Sequence, residues 1–380
     1  MKRMMLVMLA IVVALPMLVV SVRAEKPSLA GEAKSVILME AETGKVLWEY
    51  EADLPLPPAS VTKIMTILLV VEEIDKGNLK LTDIVQVSDH ASQMGGSQVY
   101  LKAGEEMTVD DLLKSVVVAS ANDASTALAE RVAGSVESFV ERMNARAKEL
   151  GMVNTNFENP TGLDDSTTDH RTSARDIALM SRALMQHDLI FNYSTIWMDS
   201  IRDGAFGLTN TNRLIRFYQG ANGLKTGSTS RAGFCISATA KREGMQLIAV
   251  VMGAPNRDSR NECAKKLLDF GFANYRYVLK GAGSLPPVRV IGGVAKEAKV
   301  TYDQFDVVLN KDKFGQDLET IVELPEVLPA PIRAGDVLGR VIYKMGGVEV
   351  GTATIRSEET VEKIGFVGLF RCLLGHYFLH

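Results

Sequence analysis

Residues 64–74, Ile-Met-Thr-Ile-Leu-Leu-Val-Val-Glu-Glu-Ile, are apolar on nearly every side of a helical wheel, and the run stops at Gly77. A surface helix shows a single apolar stripe, whereas one that is apolar nearly all round must be covered on every side. This chain therefore needs a central helix wrapped by other elements, and hence a large core. Its length permits that: 380 residues is too long for one typical domain and comfortable for two. Apolar residues make up 47% and charged residues 23%, ordinary for a globular chain.

The rest of the chain supplies the wrapping. Residues 35–40 and 45–50 read as two strands about the turn Glu42-Thr43-Gly44. Pro55, Pro57 and Pro58 then stop regular structure. Thr108-x-x-Asp111 is a capping-box-like start for a helix over 112–119, and further helices fit 136–150 and 173–186. Strand patterns return at 231–240 and 246–252, flanking the turn Lys241-Arg242-Glu243-Gly244. Strands at both ends with helices between them predict one sheet assembled from distant segments, with a helical lobe inserted. A boundary falls near Gly281-Ala-Gly-Ser-Leu-Pro-Pro287. Beyond it the pattern is short and strand-like, with a hairpin of 336–343 and 348–355 about Gly346-Gly347, which predicts a small all-β domain.

Both termini read as membrane-directed. Lys2 and Arg3 precede an apolar run from Met4 to Val20, broken by Pro16 and followed by Val22-Arg23-Ala24. That is the pattern of a secretory signal cleaved after residue 24. An uncleaved anchor is the alternative, since the run is near spanning length; either places the remainder outside the cytoplasm. At the other end Phe366, Leu369, Phe370, Leu373, Leu374 and Tyr377 recur at helical spacing and form one apolar stripe. The segment is too short to span a bilayer and Arg371 interrupts it, so it reads as an interfacial amphipathic helix on the outer face of the cytoplasmic membrane. A helix packed on the β domain is the alternative. The expected division is therefore 1–24 signal, 25–283 main domain, 284–356 β-rich domain and 357–380 tail.

Several function classes drop out. The net charge of −4 leaves no basic excess, so no nucleic-acid partner is expected. Cys235, Cys263 and Cys372 form no CxxC pair and no metal-ligand spacing; a Cys235–Cys263 bridge is allowed but nothing in the sequence supports it. The five histidines have no metal spacing either, so neither a metal nor a cofactor is expected. His170 beside Asp169 invites a Ser-His-Asp reading, but the chain has no GxSxG elbow, and His170 reads as a solvated loop histidine.

Three short motifs carry the chemistry. Ser60-Val61-Thr62-Lys63 is the only S-x-x-K in the chain and opens the apolar helix. A spacing of three puts Ser60 and Lys63 on one face, a turn apart. A serine hydroxyl becomes a nucleophile when a base takes its proton. Burial and a nearby cation both push a lysine toward the neutral form that can be that base. Alone, the same residues also describe a capping serine beside an unrelated lysine. The second motif, Ser120-Ala121-Asn122, falls in a loop between two predicted helices; the hydroxyl can relay a proton and the Asn122 amide can hold a substrate carbonyl. Ser259-Arg260-Asn261 has the same spacing, but only Ser120 lies between a capped helix and the next. The third, Lys225-Thr226-Gly227, stands immediately before a strand. Lys225 there offers charge to a substrate carboxylate, and Gly227 lets substrate approach the backbone. The N–H of Ser228 can join that of Ser60 as an oxyanion hole. Each motif is weak alone; their order, spacing and context agree on one shared active site.

With these motifs the chain resembles the low-molecular-mass penicillin-binding proteins, the serine D-Ala-D-Ala carboxypeptidases. The likeness runs from about residue 33 to the C-terminus and includes Pro58 to Thr66, Met94-Gly-Gly-Ser97, Ser120 to Ala124, Asn159-Pro-Thr-Gly-Leu163 and Asn222 to Gly227. These stretches, with Thr209-Asn-Thr-Asn-Arg213, are most similar to the sporulation-associated branch. The resemblance implies an α/β (α+β) peptidase domain shared with serine β-lactamases, in which an antiparallel sheet carries a helical lobe, plus a second small all-β domain. It implies Ser60 as the acylated nucleophile, Lys63 as its base, Ser120 as a proton relay and Asn122 as a substrate-orienting group. Lys225 and Thr226 would hold the terminal carboxylate, with Arg260, or Arg257 three residues before it, just after a strand. The implied partners are peptidoglycan stem peptides and β-lactams. One departure stands out: Ala121 occupies a position where the family usually has glycine, and a left-handed backbone there would be strained. A β-lactamase would share fold and motifs, but the β domain and tail argue against it. A wall-binding protein without turnover is favoured only by Ala121.

Overall fold

The strands at the two ends of the main domain do close into one sheet. The computed structural model describes residues 29–313 and 318–370; the predicted signal and the last residues of the tail lie outside them. Strands β1 (Ser35–Glu40) and β2 (Val46–Tyr50) form the first hairpin. Strands β3 (Ala221–Thr229), β4 (Gly233–Arg242) and β5 (Met245–Ala254) follow almost two hundred residues later. The sheet order is β2-β1-β5-β4-β3 and every pairing is antiparallel, with Ser35 opposite Met252 and Glu40 opposite Leu247. All ten residues of β5 are buried, as befits the middle of a sheet covered on both faces. On one face lies the helical lobe; on the other, helix α6 (Arg257–Asn274).

The apolar run becomes helix α1 (Lys63–Asp75), buried along nearly its whole length between the sheet and the lobe. Thr108 caps helix α2 (Val109–Lys114), its hydroxyl accepting from the Asp111 N–H at 3.1 Å. The expected continuation to residue 119 is not α-helical. Ser115–Ala119 widen into a π turn, which ends with Ser120 in the left-handed region at φ 64°. Helices α3 (Asn122–Ala133), α4 (Val136–Glu149) and α5 (Ala174–Leu184) complete the lobe.

After α6 the chain turns strand-like: β6 (Tyr275–Lys280), β7 (Gly283–Ile291), β8 (Glu297–Tyr302), β9 (Phe305–Asn310), β10 (Leu318–Glu323), β11 (Val327–Pro329), β12 (Val337–Met345) and β13 (Val348–Ser357). Six of them form a second sheet in the order β10-β12-β13-β8-β7-β11, with its own apolar core around Val300, Val341 and Ile355. β6 pairs with β9, whose Val308 packs into the core beneath α6. The Lys45 ammonium donates to the Val308 carbonyl at 2.9 Å, joining the two layers.

Cys235 and Cys263 are not bridged to each other: the Cys235 thiol faces the Ala232 carbonyl and the Cys263 thiol donates to the carbonyls of Leu29 and Ala30.

Candidate active site

The three motifs converge on one groove of ≈ 550 Å³ between the lobe and the edge of the first sheet, with Ser60, Ser120, Thr226, Gly227, Ser228 and Arg260 among its walls. Ser60 sits in a single 3₁₀ turn, Ala59–Thr62, and α1 begins only at Lys63. Ala59 takes φ 49°, a strained conformation for alanine, immediately before Ser60.

Lys63 is fully buried, and its Nζ has three partners: Ser60 Oγ at 3.0 Å, Asn122 Oδ1 at 2.5 Å and the Thr161 carbonyl at 2.7 Å. Two of these can only accept. A neutral amine has two N–H bonds and one lone pair; if the two hydrogens go to Asn122 and Thr161, the lone pair is left facing the Ser60 hydroxyl. Burial holds the Lys63 ammonium well below its ordinary range, the charge of Lys225 adds to this, and Asp123 opposes it. The site thus favours the form that can take a proton.

Asn122 also has partners inside the protein. Its Oδ1 accepts from Lys63 and its Nδ2 donates one hydrogen to the Gly95 carbonyl at 2.7 Å. These bonds hold Lys63 in place and leave the second Nδ2 hydrogen uncommitted to them. Lys225 is likewise turned inward. Only 1% exposed, it donates to Ser120 Oγ at 2.8 Å and to the Thr226 carbonyl at 3.0 Å. Burial, then the charge of Arg260, brings its ammonium down to about 7. A lysine poised there can pass a proton to and from Ser120.

The third motif does not precede a strand but lies within one, β3, at the open edge of the sheet. There Gly227 has a specific task. A Cβ on it would stand 2.7 Å from the Ser60 nitrogen and 2.9 Å from both the Pro58 oxygen and the Val61 nitrogen. What approaches this glycine is the turn that carries Ser60, so glycine sets how closely Ser60 lies to the strand. Thr226 Oγ1 donates to Thr211 Oγ1 at 2.8 Å, and Ser228 is exposed on the groove. Arg260 is not directly after the strand but one turn inside α6; it is 3% exposed, yet it still reaches the groove wall. Arg257 and Arg213 line the same wall, and their charges, with burial foremost, bring the Arg260 guanidinium down to about 10. Sequence reasoning quoted Arg213 only as a branch marker; nothing in its local pattern signals that it returns to this wall.

Ala121 is not strained. It has φ −61° and ψ 121° at the start of α3, and the left-handed residue is its neighbour Ser120. The feature that favoured loss of turnover is thereby removed.

His170 corrects another expectation, since it is buried rather than solvated. Its Nδ1 accepts from the Glu158 N–H at 3.0 Å, which leaves the Nε2 hydrogen for Thr62 Oγ1 at 2.8 Å, inside the first motif. It braces the nucleophile's turn from behind. Burial brings its imidazole down to about 4, against ~6.5 in an unfolded chain. As pH falls through that window the unfolded state binds a proton that the folded state refuses. Stability is therefore full above the window and is lost within it, by up to ~3 kcal/mol. Urea unfolding midpoints at about pH 7 and about pH 4.5 should separate clearly for the native chain and much less for His170→Asn, which starts from a lower value.

The loop Asn159-Pro160-Thr161-Gly162-Leu163 earns its conspicuous sequence in the same way. Asn159 Oδ1 accepts from the N–H groups of Thr161 and Gly162, fixing the Thr161 carbonyl against Lys63. Gly162 has φ 82°, and a Cβ there would collide with the Ala59 carbonyl.

A family model described as D-alanyl-D-alanine carboxypeptidase matches residues 21–256, and one for the C-terminal domain of penicillin-binding protein 5 matches residues 284–363. The chain belongs to the D-alanyl-D-alanine carboxypeptidase family. It is 41% identical over 355 residues to the D-alanyl-D-alanine carboxypeptidase DacF of Bacillus subtilis, covering 92% of this chain and 91% of that protein. Its fold is similar to penicillin-binding protein 5 of Haemophilus influenzae, with a TM-score of 0.77 at 31% identity, over 89% of this chain and 99% of the other. It is also similar to penicillin-binding protein D2 of Listeria monocytogenes in its ampicillin-bound form, with a TM-score of 0.60 at 32% identity, over 65% of this chain and all of the other. Carboxypeptidases of this family are serine hydrolases that work through an acyl-enzyme and bind β-lactams. This chain is such an enzyme, with a penicillin-binding-protein fold and an all-β C-terminal domain.

Proposed function

We propose that Ser60 carries the acyl group and that the substrate is the D-Ala-D-Ala end of a peptidoglycan stem peptide. The observation that carries this reading is the buried Lys63 amine, held by two obligate acceptors beside the Ser60 hydroxyl. Ser60 Oγ attacks the penultimate D-Ala carbonyl as its proton passes to Lys63. The N–H groups of Ser60 and Ser228 receive the oxyanion. The peptide C–N bond breaks as the leaving D-Ala nitrogen takes a proton from Lys225 through Ser120; water then attacks the ester, its proton returning to Lys225 through Ser120 while Lys63 gives its proton back to the departing Ser60 oxygen. Thr226 and Arg260 meet the terminal carboxylate, with Gly227 keeping strand and nucleophile close. Incubation of the mature chain with a peptide ending in Lys-D-Ala-D-Ala should release D-Ala; a chain that binds the peptide without releasing it would overturn the reading.

Arg260→Ala should cut kcat/KM on the free-acid peptide by about 10²-fold and on its C-terminal amide far less, because a charge-assisted contact exists only with the acid. Equal losses on both would move the contact to Arg257 or Arg213.

The same reading covers the rest of the chain. Residues 1–24 act as a cleaved signal, 25–283 form the peptidase unit and 284–364 the β-rich unit, which extends past the expected end at 356 because Val361 lies in its core; the tail beyond it holds the enzyme on the outer face of the cytoplasmic membrane. Supporting this, Phe366–Phe370 are helical, and Phe366, Leu369 and Phe370 are exposed. No helix among the described residues is long and apolar enough to cross a membrane.

A further inference from the structure

One end of the β-rich unit carries an apolar surface that the acyl-transfer chemistry does not use. The turn between β7 and β8 meets the outgoing chain there. The Ile364 N–H donates to the Gly292 carbonyl and the Val294 N–H to the Glu362 carbonyl, each at 2.8 Å, and Gly293 bridges Lys363. Val361 is buried in the core of this unit. The segment up to Ile364 is thus part of the second sheet's fold, clamped onto the turn, and the tail helix starts only at Phe366.

Large apolar side chains face outward on both sides of this clamp. On the turn side Ile291 is 62% and Val294 69% exposed; on the helix Phe366 is 83% and Phe370 54% exposed. Single exposed apolar residues are ordinary, but a group of them on adjoining segments marks an interaction surface. Between the two sides runs a recess with Arg289, Lys296 and Glu297 beside Ile291, Ile364 and Leu369. The side chains of Arg289 and Lys296 make no ion pair among the described residues. The surface therefore combines outward apolar groups with two cations beside one carboxylate, Glu297, the cations having no ion pair among the described residues, the pattern of a segment lying at the boundary of an anionic bilayer.

We infer that the β7–β8 turn is a second membrane contact: Ile291 and Val294 enter the interfacial layer of an anionic phospholipid bilayer, with Arg289 and Lys296 at the lipid phosphates. The inference rests on the reading of the tail as a membrane segment, with which this surface is continuous through the clamp. Its consequence is orientation. A helix alone, joined through Gly365, would leave the enzyme on a pliant tether. A turn built into the second sheet, seated beside that helix, fixes the angle of the β-rich unit to the bilayer.

The test is flotation of the mature chain with vesicles of phosphatidylcholine alone or mixed with phosphatidylglycerol. Three forms are compared: the native sequence, the double variant Ile291→Asp/Val294→Asp, and a chain ending at Gly365, which keeps the clamp. Two points of attachment reinforce each other, so the double variant should bind the mixed vesicles about tenfold more weakly, while releasing D-Ala as the native chain does. The chain ending at Gly365 should keep a weak, salt-sensitive binding to mixed vesicles only. As an independent readout, a Val294→Cys chain carrying an environment-sensitive dye should blue-shift on mixed vesicles. Native-like flotation of the double variant, with no dye shift, overturns the inference while leaving the tail reading intact. Failure of even the native chain to float overturns both.

Discussion

Ser60→Ala abolishes covalent capture of a labelled β-lactam and lowers D-Ala release by on the order of 10⁴-fold or more, while the protein stays folded. The size follows from what is removed. No other hydroxyl among the described residues stands at hydrogen-bond distance from the Lys63 amine, so no substitute nucleophile is in place. Ser120 is the nearest hydroxyl in the groove by role, but its partner is Lys225 rather than Lys63. The fold should tolerate the change, because Ser60 is only half-buried and Lys63 keeps two of its three acceptors. Mass spectrometry of the intact protein after exposure to a β-lactam checks the adduct, and circular dichroism checks the fold. An adduct of normal yield in Ser60→Ala would place the nucleophile elsewhere.

Lys63→Arg slows acylation by at least about 10²-fold, although it preserves charge and hydrogen-bond donors, because a guanidinium does not deprotonate at working pH. The pH profile separates this from a structural effect. In the native enzyme Lys63 must be neutral, so kcat/KM falls on the acid side as the amine is protonated. Burial and then the Lys225 charge hold that protonation well below the ordinary lysine range. Removing the Lys225 charge makes Lys63 easier to protonate, so in Lys225→Ala the acid limb should move to higher pH, on top of a loss of rate from the missing proton relay. The two amines are coupled, and the observed limbs belong to the pair rather than to either residue. Stopped-flow acylation by a chromogenic β-lactam across the pH range measures both effects. A Lys63→Arg enzyme with near-native acylation would leave Lys63 a structural role only.

The proposed constellation is legible because its spacing is local. Ser60 and Lys63 are three residues apart on one turn, and no tertiary detail is needed to put them side by side. The hairpin at 35–50, the Thr108 cap and the all-β end were equally readable, since period-2 alternation and capping chemistry act between near neighbours. Sequence also separated Ser120 from the identical spacing at Ser259, by asking which serine lies between two helices.

What the sequence could not settle were directions and distances across the fold. Asn122 and Lys225 were assigned to substrate because amides and ammonium groups bind carbonyls and carboxylates. Tertiary packing gives both a partner inside the protein, Asn122 at Lys63 and Lys225 at Ser120. The strain expected at Ala121 fell on Ser120, because the π turn before it, set by packing of the lobe, decides which residue takes the left-handed conformation. His170 looked solvated because its neighbours in sequence are polar, yet a loop carries it behind Thr62, more than a hundred residues away. The residues proposed to react could be read from short-range spacing alone, because a nucleophile and its base three residues apart share one turn. Only the tertiary structure decided what each buried polar group faces, because the partners that satisfy it come from remote parts of the chain.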